Sequence, residues 1–301
     1  MSRKKKNVKG VPALSSLLVI IIVAIIYFIS GGAGDFKADK VENTHTSSEG
    51  IIVHYLDVGQ GDSEFIEFPT GKCMLIDASI SEYGSDIEDY IENLGYDRID
   101  YLVATHPHAD HIGGMEEIVE SFDIGEIYMP RAVTTTKTYL DLLETVSEKN
   151  LTISTAKAGK VITDDNINIE FLAPVNDGYE DLNNFSAVLK ITYNKSSFLF
   201  TGDAEELSED EMLASSYSKL NSDVLKVGHH GSRYSSSTEF LQAVSPVYSV
   251  ISCGKNNSYG HPHKEAISRL NAVNSEIYRT DELGTITIFT AGDGDYEVDY
   301  R

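Results

Sequence analysis

The hydrophobic pattern divides the chain in two. Between Gly10 and Gly34 there is no charged residue, and the stretch LLVIIIVAIIYFI (17–29) is almost wholly aliphatic. A bilayer's hydrocarbon core requires roughly 20 such residues, so a transmembrane helix is expected over 10–30. A buried core helix is not expected, because nothing polar interrupts the run to give it an amphipathic face. Residues 31–50, GGAGDFKADKVENTHTSSEG, are polar and Gly/Ser-rich without periodicity, and read as a tether. From Ile51 the rhythm changes to short apolar runs alternating with helical patterns. Strands are expected over 51–58, 63–69, 73–78, 101–105, 126–130, 167–174, 186–193, 196–202, 223–229, 248–253 and 285–290, and helices over 84–95, 113–122, 136–149, 205–215, 237–243 and 263–273. The early strands alternate and are joined by turns, as in antiparallel sheet; the later ones alternate with helices. No long linker breaks 51–301, which reads as one domain large enough for two packed sheets.

Charge adds orientation. Arg3, Lys4, Lys5, Lys6 and Lys9 precede the apolar run, and no acid occurs before Asp35. A basic stub over 1–9 stays cytoplasmic, which makes this a single-pass membrane protein with its domain outside. The alternative is a cleaved signal peptide and a secreted domain; the length of the run and the lack of an A-x-A site favour the anchor. The whole chain carries −23, with 47 acids against 24 basic residues, and the part after the stub is more negative still. Such a domain repels polyanions in general, and tight non-specific duplex binding would need basic patches that are not evident. Cys73 and Cys253 allow one disulfide at most and show no metal spacing.

The candidate chemistry begins at THPHADHIGG (105–114), where three of the nine histidines and an aspartate fall within six positions. His106 and His108, two apart in an extended loop, share a face. Asp110 and His111 follow a bend and can face a second point. Imidazole and carboxylate suit a borderline divalent ion such as zinc. Further ligands must come from elsewhere. Asp77 (LIDAS), Asp203 beside Gly202 (LFTGDAEE) and the pair His229–His230 (LKVGHHGS) each sit at the end of a strand pattern. His261 and His263, with Asn257 and Tyr259, lie before the last helix, where they could contact a phosphate or protonate a leaving group; His263 reads equally as a cap. Ser232 reads as a loop serine or cap rather than a nucleophile. GQGD (59–62) reads as a tight hairpin turn at the mouth of the site, and His45 as a solvated residue of the tether.

Asp77, H-x-H-x-D-H, Asp203 and a late histidine, in this order, resemble the motif series of the metallo-β-lactamase fold hydrolases. YLDVGQGDSEFIEFPTGKCMLIDAS, NNFSAVLKI, FTGDAE, DVLKVGHHGSRYSSS, NSYGHPH and YRTDELGTITI resemble, block by block, the extracytoplasmic hydrolase domain of the competence channel family ComEC, over residues 51–291. The resemblance implies an α/β fold, a four-layer αββα sandwich, with two divalent ions, zinc or manganese. It implies that His106 and His108 hold the first ion and that Asp110 and His111 hold the second, with one histidine of the 229–230 pair. His229 is favoured as that ligand because it ends the strand pattern, leaving His230 to face the substrate. Asp203 would bridge, Asp77 would orient a ligand from behind with Asn183 nearby, and Asp110 and His261 would assist proton transfer. Two departures stand out. Between 112 and 202 there is no histidine, so the third imidazole that many relatives give the first ion is missing; Asn183 and Ser186 occupy the corresponding block, which leaves an open position and weaker binding. And a multi-span channel is not expected from the one apolar run. The function expected is a membrane-anchored extracytoplasmic two-metal phosphodiesterase acting on single-stranded DNA or, as in related cell-surface phosphorylcholine esterases, on a wall-linked diester. The alternatives are β-lactam or lactone hydrolysis on the same fold, or a non-catalytic surface-binding module.

Overall fold

The computed structural model describes residues 45–301; the basic stub, the apolar run and most of the tether lie outside the described residues. Among the described residues fifteen strands form two sheets. They are β1 (Ile51–Tyr55), β2 (Glu64–Glu67), β3 (Cys73–Ile76), β4 (Arg98–Val103), β5 (Asp123–Met129), β6 (Ile153–Thr155), β7 (Val161–Asp164), β8 (Ile167–Phe171), β9 (Leu189–Tyr193), β10 (Ser196–Phe200), β11 (Val224–Lys226), β12 (Tyr248–Ile251), β13 (Glu276–Arg279), β14 (Ile286–Thr290) and β15 (Glu297–Tyr300). The helices are α1 (Gly84–Asn93), α2 (Ala109–Ile112), α3 (Met115–Ser121), α4 (Lys137–Glu148), α5 (Glu206–Leu220), α6 (Thr238–Val244), α7 (Lys264–Ala272) and α8 (Thr280–Leu283). The first sheet runs β15-β14-β1-β2-β3-β4-β5-β6 and the second β13-β12-β11-β10-β9-β8-β7. Each sheet is antiparallel in one half and parallel in the other: β3, β4, β5 and β6 run together, as do β10, β11, β12 and β13.

Side-chain alternation explains the layers. On β1, Ile51, Val53 and Tyr55 point between the sheets, where they join Phe68, Val103, Phe171, Phe198 and Phe200 in the central core. The opposite face of the second sheet, with Leu199, Leu225 and Ile251, packs on Met212 of α5, Phe240 and Val244 of α6 and Leu270 of α7. The opposite face of the first sheet is also covered: His54 of β1 shares a 2.9 Å hydrogen bond with Tyr90 of α1. Strands buried on both faces read as continuous apolar runs, as in CMLI and YLV. The result is the helix–sheet–sheet–helix order expected.

All eleven expected strands and six expected helices are present. The four strands that the pattern did not reveal are β6, β7, β13 and β15, which are the four sheet edges. Edge strands bury less and tolerate polar residues, as in IST, VITD and EVDY, so their alternation is faint. His45 is not merely solvated: its ring stacks on Phe289 at 3.8 Å and its Nε2 lies 3.0 Å from Glu297. Among the described residues no helix is long and apolar enough to cross a membrane.

The central core should dominate stability. Truncating fully buried Phe198 to Ala is expected to cost about 3–5 kcal/mol in urea unfolding. Truncating Tyr217, which is 63% exposed, should change it by no more than about 0.5 kcal/mol.

Candidate metal centre

The carboxyl ends of the parallel strands in both sheets meet at one place, the usual location for ligand sites in such sheets. Asp77 follows β3, His106 follows β4, Asp203 follows β10, and His229 and His230 follow β11. Within the histidine loop, His108 is still extended (ψ 150°), and α2 begins at Ala109. That change of backbone is the bend that separates His106 and His108 from Asp110 and His111. Gly202, with φ at +49°, lets the chain turn against the loop; a Cβ there would stand 2.9 Å from the Thr105 Cβ.

Asp203 lies at the centre, 2% exposed, its amide N–H donating to Ser186 Oγ at 3.0 Å. Its two oxygens face two groups. Oδ1 is 3.3 Å from His111 Nε2 and 3.7 Å from His230 Nε2, and Asp110 Oδ2 lies 3.6 Å from that same His230 nitrogen. Oδ2 is 3.8 Å from His106 Nε2, which is itself 2.9 Å from His108 Nδ1, and 3.6 Å from His229 Nε2. Ligands on one tetrahedral zinc stand about 3.4 Å apart, given bonds of about 2.0–2.1 Å. His111 Nε2, His230 Nε2 and Asp203 Oδ1 are buried without any hydrogen-bond partner. Three convergent orphan donors of the N and O type fit a divalent ion, and the chain's His/Asp clusters can bind one.

Of the two late histidines, the geometry groups His230, not His229, with the candidate ligands. His230 converges with Asp110, His111 and Asp203, whereas among the described residues His229 belongs to no such close group. The strand ends at Lys226, and both histidines then adopt left-handed backbone, φ 50° and 54°, so strand alternation does not govern them. His229, with its side chain 22% exposed, faces the cavity, and its Nδ1 lies 3.2 Å from Glu205. Asn183 donates from Nδ2 to the same carboxylate at 3.3 Å.

Each buried imidazole is held from behind. Asp77 accepts the Thr105 N–H and hydroxyl through Oδ1 and Oδ2, and Oδ2 takes His111 Nδ1 at 2.7 Å. His230 Nδ1 donates to the Ser252 carbonyl at 3.0 Å and lies 3.2 Å from Asp62 Oδ1. Asp62 is in turn paired at 2.7 Å with Lys226, and both are 1% exposed. Sequence reasoning missed Asp62, Lys226, Glu205 and Thr105. Asp62 belongs to the segment read as a hairpin turn; that segment does join β1 to β2, but its acid lies beneath the site. The available signal was a lysine inside the apolar strand DVLKVG, since a buried charge needs a partner.

His261 Nδ1 is buried without a partner, and its ring stacks with that of His230 at 6.1 Å. Burial and the neighbouring His230 push its pKa down to about 4. His263 precedes α7 but makes no cap bond; its Nδ1 accepts the Arg233 N–H at 3.1 Å. Ser232 is a loop serine whose Oγ accepts the Tyr234 N–H. A cavity of about 340 Å³ opens over the centre, lined by Gln60, His108, Ala109, Asp110, Asn183, Asp203, His229, His230, Tyr259 and His261.

Charges inside the centre compensate one another. Burial disfavours the imidazolium forms, but Asp203 and Asp77 hold His111 protonated well above its ordinary range, and Asp203 and Asp62 lift His230 to about 10. His106 goes the other way, pushed well down by burial and by His111. Burial also works against an ionised Asp203, yet His111, His230 and His229 keep its carboxyl well below the usual range.

This constellation at the strand ends of a two-sheet α/β sandwich defines a metal-dependent hydrolase fold. The chain belongs to the metallo-beta-lactamase superfamily, whose family model matches residues 56–255. It is 31% identical over 257 residues to ComE operon protein 3 of Bacillus subtilis (strain 168), covering 80% of this chain and 33% of that protein. It is 30% identical over 230 residues to competence protein ComA of Neisseria gonorrhoeae, covering 76% and 31%. The chain thus matches about a third of the length of these relatives. Among solved structures, the metallo-beta-lactamase fold protein YhfI of Bacillus subtilis superposes with a TM-score of 0.50 at 14% identity, over 83% of this chain and 100% of that one.

Two outcomes follow from this geometry. Asp62→Asn should weaken metal binding by about 10–100-fold in chelator competition, the usual cost of losing a partner behind a ligand. Metal binding should also release protons near pH 7, because His111 and His230 carry protons below their raised pKa values and must lose them to ligate. Apparent affinity therefore rises with pH towards about 10. Calorimetry in buffers of different ionisation enthalpy checks this; zero proton release would contradict the assignment.

Proposed function

We propose that the chain is a membrane-anchored, extracytoplasmic phosphodiesterase working with two divalent ions, zinc or manganese. The carrying observation is the lining of the cavity. Apart from Ala109, every residue around Asp203 is polar or aromatic, with His229, His261, Asn183 and Gln60 offering hydrogen bonds. That surface suits the charged oxygens of a tetrahedral phosphorus better than an apolar acyl substrate. The absence of histidine from residues 112–202 supports the same reading. The basic residues before the apolar run support the anchor and its orientation.

In this reading His106, His108 and Asp203 would hold one ion, and Asp110, His111 and His230, with Asp203, would hold the other. Bound there, the ions supply an activated water near neutral pH and offset charge building on phosphorus. The protein's own groups do the rest. His229, with Glu205 against Nδ1, presents Nε2 to a phosphoryl oxygen. Asp110, at the cavity floor, accepts a proton on its free oxygen. His261 is held neutral, which suits it to a hydrogen bond with the substrate rather than to delivering a proton as an imidazolium. In this reading His230 serves as a ligand, with His229 taking the place towards the substrate. The substrate in the cell would be single-stranded DNA or a wall-linked diester.

The metal-loaded full chain should hydrolyse bis-p-nitrophenyl phosphate and leave nitrocefin intact. His230→Ala and Asp203→Ala should each lose at least the roughly 100-fold that removal of an outer partner can cost. A protein that binds no zinc or manganese by elemental analysis, or either variant at full activity, would reject the reading.

A further inference from the structure

Tyr259 is 63% exposed, which alone means little. Three features set it apart from Tyr217 and Tyr234, which are exposed to the same degree. It lines the cavity over the metal centre. Its ring lies nearly parallel to that of His261, 5.7 Å away at 21°, and His261 stacks on His230 at 6.1 Å and 30°, so a ladder of rings climbs from the centre to the rim. And its loop is clamped. Asn257 donates from Nδ2 to the carbonyls of Gly254 and His261, and its Oδ1 accepts the His261 N–H at 3.0 Å. Gly254 N–H donates to Gln60 Oε1 at 3.1 Å, tying the loop to the opposite wall. An exposed aromatic ring held in place by its loop binds without a large ordering cost.

We propose that Tyr259 is a stacking platform for a nucleobase beside the scissile diester. This rests on the phosphodiesterase reading and names its substrate class as a nucleic-acid strand or nucleotide with an unpaired base. His261 lies near-parallel beside the ring at 5.7 Å and the residue is 63% exposed, which leaves room for a single flat partner. Every nucleobase offers such a face, whatever the sequence. A trimethylammonium group is recognised by a cage of several aromatic rings; here Tyr259 is backed by imidazoles, and the chain has no tryptophan. With a net charge of −23 the chain offers a phosphate backbone little attraction, so base stacking would have to supply much of the binding.

The test compares the metal-loaded full chain with Tyr259→Ala and Tyr259→Phe. The substrates are the thymidine dinucleotide and its counterpart lacking both bases, followed by chromatography. Tyr259→Ala should lower kcat/KM for the thymidine dinucleotide by about tenfold, mainly through KM, and leave the abasic diester unchanged. Tyr259→Phe should behave as the wild type. In parallel, calorimetry compares thymidine 5′-phosphate with abasic deoxyribose 5-phosphate. The wild type should prefer the nucleotide, and Tyr259→Ala should lose that preference. If no diester is cleaved but the preference holds, the phosphodiesterase reading falls and the platform stands. If Tyr259→Ala affects both ligands equally or neither, the platform falls. A loss seen only with p-nitrophenyl phosphorylcholine would assign the ring to a quaternary ammonium and overturn the proposal.

Discussion

A carboxylate buried between four imidazoles is the constraint around which this protein is built. Asp203 cannot be ionised in an apolar interior unless positive charge surrounds it. His111, His230 and His229 come from loops of both sheets to do so, while His106 beside them is held neutral, and their charge states answer to the acid in turn. Asp77 and Asp62 sit behind two of the rings, and Lys226 balances Asp62. The network alternates sign from the cavity inward: acid, imidazole, acid, ammonium. Removing one member from such a chain leaves its neighbour buried and uncompensated, which costs more than the lost contact itself.

The sheets make this possible through their parallel halves. Only there do neighbouring strands end on the same side and release their loops towards one point. The local backbone is strained to match, with Asp77, His229 and His230 all left-handed without being glycine. Strain of this kind persists only where surrounding contacts over-determine it. Those contacts are visible: Thr105 on Asp77, Ser252 on His230, Glu205 on His229.

Much of this was legible in the chain. Interior strands announced themselves because burial on one or both faces demands apolar residues, and the histidine loop announced itself by density. The edge strands did not, since they need little burial. The order of His229 and His230 was also hidden. It depends on two consecutive left-handed residues, which no periodicity encodes. Asp62 and Lys226 were concealed differently. Lys226 signals a buried charge by its apolar strand, but its partner Asp62 lies 164 positions away in the chain, and only the contact identifies it.

Because β3 and β4 on one sheet and β10 and β11 on the other all contribute donors, neither half of the chain can assemble the site alone. An incompletely folded chain has only the short cluster from His106 to His111 to offer. Loading with metal is therefore a report on completed assembly. Ions that bind the joined sheets and not the separate halves act as a thermodynamic clasp, drawing the two layers together in proportion to the free metal around them.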